Sequence, residues 1–314
     1  VAGTHGKSTT SSMISVMFEG LNAKPSFAVG TVIAGFGTNA RLGATGPGSW
    51  FVAEADESDG SFVRYRPKVA VVTNIEPDHI DFYGTAERVY EAFNRFVASM
   101  VPNGVLITCA DDAGAVSLAQ RSRAAGLQVL TYGESEDADV RLSQITSHGS
   151  QSSSVLSWSF DLAGQHYAGE QELSLQVPGV HNQLNAAASF ATALVAGARP
   201  ADAASALGGF VRADRRFTLR GEVAGIKVFD DYAHHPTEVL CALQTGGHNL
   251  YVVFQPHLFS RTKEFAQEFA QALSLADRAY VLDIYPAREE PIEGVTSELI
   301  TGAGFSEVHY ASDA

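Results

Sequence analysis

Short apolar runs alternate with stretches of helical period along the first two-thirds of the chain. Residues 51–56 and 69–75 are brief, apolar and rich in β-formers, so they read as strands. Over 86–100 the apolar positions Val89, Phe93, Phe96 and Val97 fall on one helical face. Residues 104–109 then read as a strand, 113–125 as a helix and 129–132 as a strand. Strands and helices in this alternation predict a parallel sheet covered by helices.

A serine-rich stretch over 147–154 reads as a loop. Residues 155–162 and 167–177 alternate apolar and polar, as antiparallel strands do. A long helix is predicted over 182–198, with Leu184, Ala188, Ala191 and Val195 on one face. A second unit is expected to begin near Arg215. Its pattern gives strands over 227–232, 250–255 and 279–284, with helices over 236–244 and 262–273. Pro236 at the first turn suits a helix start.

With 314 residues, 45% of them apolar, the chain is long enough for about two ordinary domains with sizeable cores. Its net charge of −14 disfavours nucleic acid and anionic membrane as partners, since both need a basic patch. Cys109 and Cys241 stand far apart and match no metal-finger spacing, so both read as buried thiols in a reducing compartment. No apolar run has the length of a membrane span and no signal peptide opens the chain, which makes the cytoplasm the default location.

The chain opens on Gly3-Thr4-His5-Gly6-Lys7-Ser8-Thr9. Such a loop wraps backbone N–H groups around phosphate oxygens. Its lysine reaches the β- and γ-phosphates, and its Ser/Thr hydroxyl ligates Mg²⁺. A helix follows and would aim its positive end at the phosphates. Val1 stands where the longer form of the motif has a glycine, so only the short form is met. A glycine-rich turn with a surface lysine is the alternative.

Four further clusters carry chemistry. Glu54-Ala55-Asp56-Glu57-Ser58-Asp59 ends a strand, where an open α/β sheet places its ligand, and a carboxylate there suits Mg²⁺. The bland alternative is an acidic surface loop. Thr73-Asn74-Ile75-Glu76-Pro77-Asp78-His79-Ile80-Asp81 also ends a strand. Its histidine among carboxylates suits a second metal ligand or a proton acceptor, or else a polar loop capping the next helix. In Val177–Ala186, His181, Asn182 and Asn185 either cap the helix or hydrogen-bond a base or ribose. Asp230-Asp231-Tyr232-Ala233-His234-His235-Pro236 has the character of a catalytic or substrate-positioning site more than of a zinc site. Beyond it, Gln255–Thr262 offers Arg261 as a clamp for a carboxylate or phosphate.

Taken in order, GTHGKST, EADESD, TNIEPDH, PGVHNQLNA, DDYAHHPTEV and QPHLFSRT resemble the Mur ligases, the ATP-dependent amide-forming enzymes of peptidoglycan synthesis, over essentially the whole chain. The resemblance is greatest to the alanine-adding branch. The tripeptide-recycling branch would more typically read DDFAHHP and lack the TNIEPDH wording. The resemblance implies an α/β fold: a P-loop parallel-sheet ATPase domain over residues 1–213 and a smaller Rossmann-like α/β domain over 214–314, truncated. A UDP-binding domain is expected to be missing, so the chain is expected to bind ATP–Mg²⁺ with little or no ligation.

Residue roles follow from the same resemblance. Lys7, among Gly3, Thr4, His5, Gly6, Ser8 and Thr9, would hold the phosphates of ATP. Ser8 and Glu54 would bind one Mg²⁺ and His79 a second. His181 and Asn185 would lie on the adenine and ribose side, and Arg216, Asp231 and Tyr232 would complete the nucleotide site. His235 and Arg261 would sit near the amino acid. The implied substrates are UDP-N-acetylmuramate and L-alanine, joined through an acyl phosphate, with His235 as candidate acceptor of the amine proton. Two departures stand out. Leu258 occupies a position where many relatives carry arginine. The helix Glu91-Ala92-Phe93-Asn94-Arg95-Phe96 lacks the lysine that other branches carbamylate, a lack the alanine-adding branch shares. An ATP-gated binding protein and a small-molecule kinase are the rivals from other classes. Neither explains a second, histidine-rich site.

Overall fold

The computed structural model describes every residue except 149, 212, 214, 215, 247, 248, 288, 313 and 314, and at 81 the backbone alone. The chain divides into two compact units, Val1–Asp214 and Arg215–Ala314. The expected start of the second unit, at Arg215, lies outside the described residues.

In the first unit the glycine-rich loop runs directly into α1 (Lys7–Gly20). Next comes a small sheet of which sequence pattern shows only the last strand: β1 (Ser26–Ile33), β2 (Thr38–Arg41) and β3 (Phe51–Ala53). Its strand order is β2-β1-β3, with β1 antiparallel to β2 and parallel to β3. The larger sheet holds six strands side by side in chain order: β4 (Val69–Val72), β5 (Val105–Cys109), β6 (Gln128–Gly133), β7 (Val140–His148), β8 (Gln151–Leu162) and β9 (Gln165–Leu175). From β4 to β7 the pairs are parallel, and from β7 to β9 antiparallel, so the sheet is mixed. Helices α2 (Ile80–Tyr83) and α3 (Ala86–Ala98) connect β4 to β5 and α4 (Ala113–Ala124) connects β5 to β6, the crossovers that parallel neighbours use, while β6 passes to β7 through the short segment 134–139.

Val1 and Ala2 sit between the two sheets. The Val1 amino group donates to the Ala53 carbonyl (2.7 Å) and Ala55 N–H to the Val1 carbonyl (2.7 Å). On the other side Ala2 N–H donates to the Val71 carbonyl (2.8 Å) and Thr73 N–H to the Ala2 carbonyl (3.0 Å). Two residues therefore join β3 to β4 and deliver the loop at the carboxyl ends of both.

Alternation along β4 builds two cores. Val71 joins Met13, Met17 and Phe190 on the face covered by α1 and by α5 (Val180–Val195). Ala70 and Val72 join Phe62, Phe93 and Phe96 on the face covered by α3. Strand β5 is buried at every position, as a central parallel strand should be. The unit closes with α6 (Pro200–Leu207).

Residues 147–154 are a correction. Apart from the turn, whose residue 149 is outside the described set, they belong to β7 and β8. Ser152 and Ser154 point inward and are buried. Ser154 Oγ donates to Gln183 Oε1 (2.7 Å), Gln183 Nε2 donates to Ser152 Oγ (2.8 Å), and Ser152 Oγ donates to the Val177 carbonyl (2.7 Å). Gln183 on α5 is 0% exposed, so this polar chain satisfies hydroxyls that composition alone assigns to solvent.

The second unit has an antiparallel hairpin, β10 (Thr218–Val223) and β11 (Ile226–Asp230), and a parallel sheet of β12 (Tyr251–Phe254), β13 (Arg278–Val281) and β14 (Val308–Tyr310). Helices α7 (Pro236–Gly246), α8 (Phe259–Leu273) and α9 (Glu298–Thr301) complete it, around a core of Phe254, Phe269, Leu273, Val281 and Ile300. Strand β11 stops at Asp230, so Asp231 and Tyr232 fall in the loop beyond it. Among the described residues no helix is long and apolar enough to cross a membrane.

Candidate functional site

Two glycines set the shape of the opening loop. Gly3 has φ 131°, and Gly6, the N-cap of α1, has φ 81°. A Cβ on Gly3 would lie 2.1 Å from Thr73 Oγ1, and one on Gly6 would lie 2.6 Å from Asn185 Oδ1. Neither position admits a side chain. The first turn of α1 has no acidic residue and no side-chain cap, so the helix itself puts nothing against its positive end.

The segment after β4 acts as a template for the loop. His5 N–H donates to Asn74 Oδ1 (2.8 Å), and Asn74 Nδ2 donates to the His5 carbonyl (3.2 Å). Thr4 N–H donates to the Asn74 carbonyl (3.1 Å). Thr4 Oγ1 accepts from Glu76 N–H (2.9 Å) and donates to the Glu76 carbonyl (3.1 Å). The Glu76 carboxylate lies 3.5 Å from His5 Nε2. Asp112, the N-cap of α4, fixes this template in turn by accepting from Ile75 N–H (3.0 Å) and Ala115 N–H (2.7 Å). Burial pushes its carboxyl above the ordinary aspartate range.

Lys7 is held from three sides. Its Nζ donates to the Gly3 carbonyl (2.7 Å) and the Thr4 carbonyl (3.1 Å), and it lies 2.9 Å from both carboxylate oxygens of Glu57. Glu57 is 2% exposed. Burial pushes its carboxyl up, against the pull of the Lys7 ammonium. The Tyr83 hydroxyl donates to the Glu57 carbonyl, and burial, then the charge of Glu57, push that phenol up to about 12. Sequence reasoning leaves Glu57 without a role. Its sole signal is a place in the run from Glu54 to Asp59, and nothing local pairs it with a lysine 50 residues earlier.

Ser8 Oγ donates to Glu54 Oε1 (2.8 Å), while Glu54 Oε2 accepts from Gly30 N–H (2.6 Å). Ser8 and Glu54 thus present adjacent oxygens, the donor type a hard divalent cation takes. His79, in the left-handed region at φ 55°, is the N-cap of α2. Its Nε2 lies 3.8 Å from Glu57 Oε1 and 3.7 Å from Asp78 Oδ2. The side chain of Asp81 lies outside the described residues. Thr9 is buried in the first turn of α1. Asn185 stands behind Gly6 and accepts from Thr10 Oγ1 (3.1 Å), with His181 one turn earlier on α5.

The remaining predicted residues belong to the second unit. Asp231 Oδ2 accepts from Phe217 N–H (2.7 Å) and Oδ1 from Ala233 N–H (2.8 Å). Burial pushes its carboxyl up, opposed by the nearby Arg216 guanidinium. Arg216 Nη1 donates to Glu238 Oε1 (3.3 Å), and His234 N–H to Glu238 Oε2 (3.0 Å). Burial also holds His234 below the ordinary imidazole range. Tyr232 is exposed, with its ring 5.0 Å from that of His234. His235 is buried edge-on against Phe265, with ring centroids 4.9 Å apart. Arg261, also buried, donates through Nη1 to His257 Nδ1 (3.4 Å). Leu258, the N-cap of α8, sits at φ 73°, a costly conformation for a side chain of its size.

The Mur ligase middle domain matches residues 1–193, and the Mur ligase, glutamate ligase domain matches residues 215–314. The UDP-N-acetylmuramate–L-alanine ligase of Arthrobacter sp. (strain FB24) is 55% identical over 306 residues, 96% of this chain and 62% of that protein. The enzyme of the same name from Paenarthrobacter aurescens (strain TC1) is 55% identical over 307 residues, 96% of this chain and 64% of that protein. This chain therefore spans less than two-thirds of the length of these relatives. Among solved structures, the UDP-N-acetylmuramate-alanine ligase of Thermotoga maritima superposes with a TM-score of 0.76 at 27% identity, covering 99% of this chain and 66% of that one. On these matches, and on the loop geometry above, the chain belongs to the Mur ligase family.

Proposed function

We propose that this chain carries the phosphate-handling part of a cytoplasmic, ATP-dependent ligase that joins L-alanine to the lactyl carboxylate of UDP-N-acetylmuramate. The observation that carries the reading is the loop geometry: side-chain-free Gly3 and Gly6, Lys7 folded over the loop, and the Ser8–Glu54 pair at the start of α1. The names of the relatives supply the substrates.

In the first step a lactyl carboxylate oxygen attacks the γ-phosphorus and ADP leaves, giving an acyl phosphate. Residues Gly3 to Thr9 hold the phosphates, and Lys7 offsets their charge. Ser8 and Glu54 would hold Mg²⁺ and His79 a second ion. Bound there, such ions neutralise charge on the transferring group. In the second step the alanine amine attacks the acyl carbon, the C–O bond to phosphate breaks, and inorganic phosphate leaves with one former carboxylate oxygen. His235 is assigned the amine proton and Arg261 the amino-acid carboxylate. His181 and Asn185 are assigned to the adenine and ribose side, and Arg216, Asp231 and Tyr232 to the nucleotide as well.

The test is phosphate release by the protein carrying this chain, supplied with ATP, Mg²⁺, UDP-N-acetylmuramate and single amino acids. Release should require an amino acid and be fastest with L-alanine. Equal release without one would overturn the assignment.

A further inference from the structure

Glu57 has no part in the roles assigned so far, yet it is the carboxylate that grips Lys7. The Lys7 ammonium has three N–H groups. Two go to the Gly3 and Thr4 carbonyls (2.7 and 3.1 Å) and fold the side chain over the loop, and Glu57 takes the remaining share at 2.9 Å. A phosphate oxygen that draws on Lys7 must therefore compete with Glu57. The carboxylate is poorly placed to move aside, because the Tyr83 hydroxyl donates to its backbone carbonyl and its side chain is buried. Burial leaves it little water as a substitute partner, and the other cationic candidate beside it is His79, 3.8 Å away.

We propose that Glu57 is a positioning residue that competes with the terminal phosphates for the Lys7 ammonium and so sets how readily nucleotide is released. The proposal rests on the reading that the loop takes a triphosphate. A negative charge fixed beside Lys7 weakens phosphate binding twice, by holding the ammonium and by repelling the anion. Removing that charge at constant shape should tighten binding. A residue that merely supports the fold would, when altered, leave binding unchanged or weaken it.

The experiment titrates the full chain with pyrophosphate and with ADP in wild type, Glu57→Gln and Glu57→Asp, with melting curves as a check on folding. Glu57→Gln should bind both probes at least about tenfold tighter, with ADP release slowed in proportion. Glu57→Asp keeps the charge one methylene further back and should fall between the two. It also serves as the deciding variant if the glutamine form does not fold. On a Lys7→Met background the glutamine substitution should tighten binding by less than in wild type, because only the repulsion of the anion is then removed. Wild type that binds ADP, with variants binding no tighter, overturns this inference alone. Wild type that binds neither probe removes the loop reading along with it.

Discussion

The side-chain amide of Asn74 pairs with the peptide groups of His5 as a neighbouring strand would: Oδ1 accepts from His5 N–H at 2.8 Å and Nδ2 donates to the His5 carbonyl at 3.2 Å. One side chain thereby fixes the middle of a loop whose own residues have no regular structure. Replacing Asn74 by alanine removes both bonds and should cost about 1–3 kcal/mol of stability. ADP affinity should fall by about tenfold, the equivalent of about 1.4 kcal/mol. Asn74→Asp should do no better, because it sets a second acceptor against the His5 carbonyl. Denaturant melts and calorimetric ADP titration check both effects.

Gly6 meets two independent obstacles to any side chain: its φ of 81°, and the Asn185 oxygen 2.6 Å from where a methyl group would sit. Gly6→Ala should therefore destabilise the fold by about 1–2 kcal/mol from the left-handed backbone alone. Asn185→Gly in the same chain should recover only the part due to the clash. Thermal melts of the two single variants and the double variant separate the contributions.

The buried chain from Ser154 through Gln183 to Ser152 ties α5 to β8. Gln183→Leu keeps the volume but strands the Ser154 hydroxyl and leaves Ser152 only its bond to the Val177 carbonyl, so we expect a loss of about 1–3 kcal/mol in urea unfolding. Adding Ser154→Ala to that variant should restore part of it, because apolar partners then face one another there.

Cys109 gives a pH signature. Burial pushes its thiol from an ordinary value of 9.0 up to about 12. A group whose folded value is raised contributes stability that is complete below its unfolded value and disappears as pH climbs to the folded one. Stability should therefore fall between pH 9 and about pH 12, and Cys109→Ala should remove part of that fall. In the native protein at pH 8 a thiol reagent should spare Cys109 and modify the half-exposed Cys241 first.

The phosphate loop was legible because its glycines, lysine and serine are contiguous and their spacing carries the chemistry. Helix α3 was legible from its period, and strand β5 from a short continuous apolar run. The template role of Asn74 was not, since a polar run at a strand end reads equally well as ligands, as proton acceptors or as a cap. Its partner lies 69 residues away. Likewise β1 and β2 were missed: burial alternates along only part of β1, and β2 has no buried position. The serines of β8 look solvent-facing until Gln183 is brought against them by the fold.

Oxygen tracing tests the acyl-phosphate route most directly. The protein carrying this chain would be given UDP-N-acetylmuramate with ¹⁸O in both lactyl carboxylate oxygens, together with ATP, Mg²⁺ and L-alanine. The route predicts one ¹⁸O atom in each inorganic phosphate released and one retained in the new amide. Phosphate released without label, while amide forms, would contradict it.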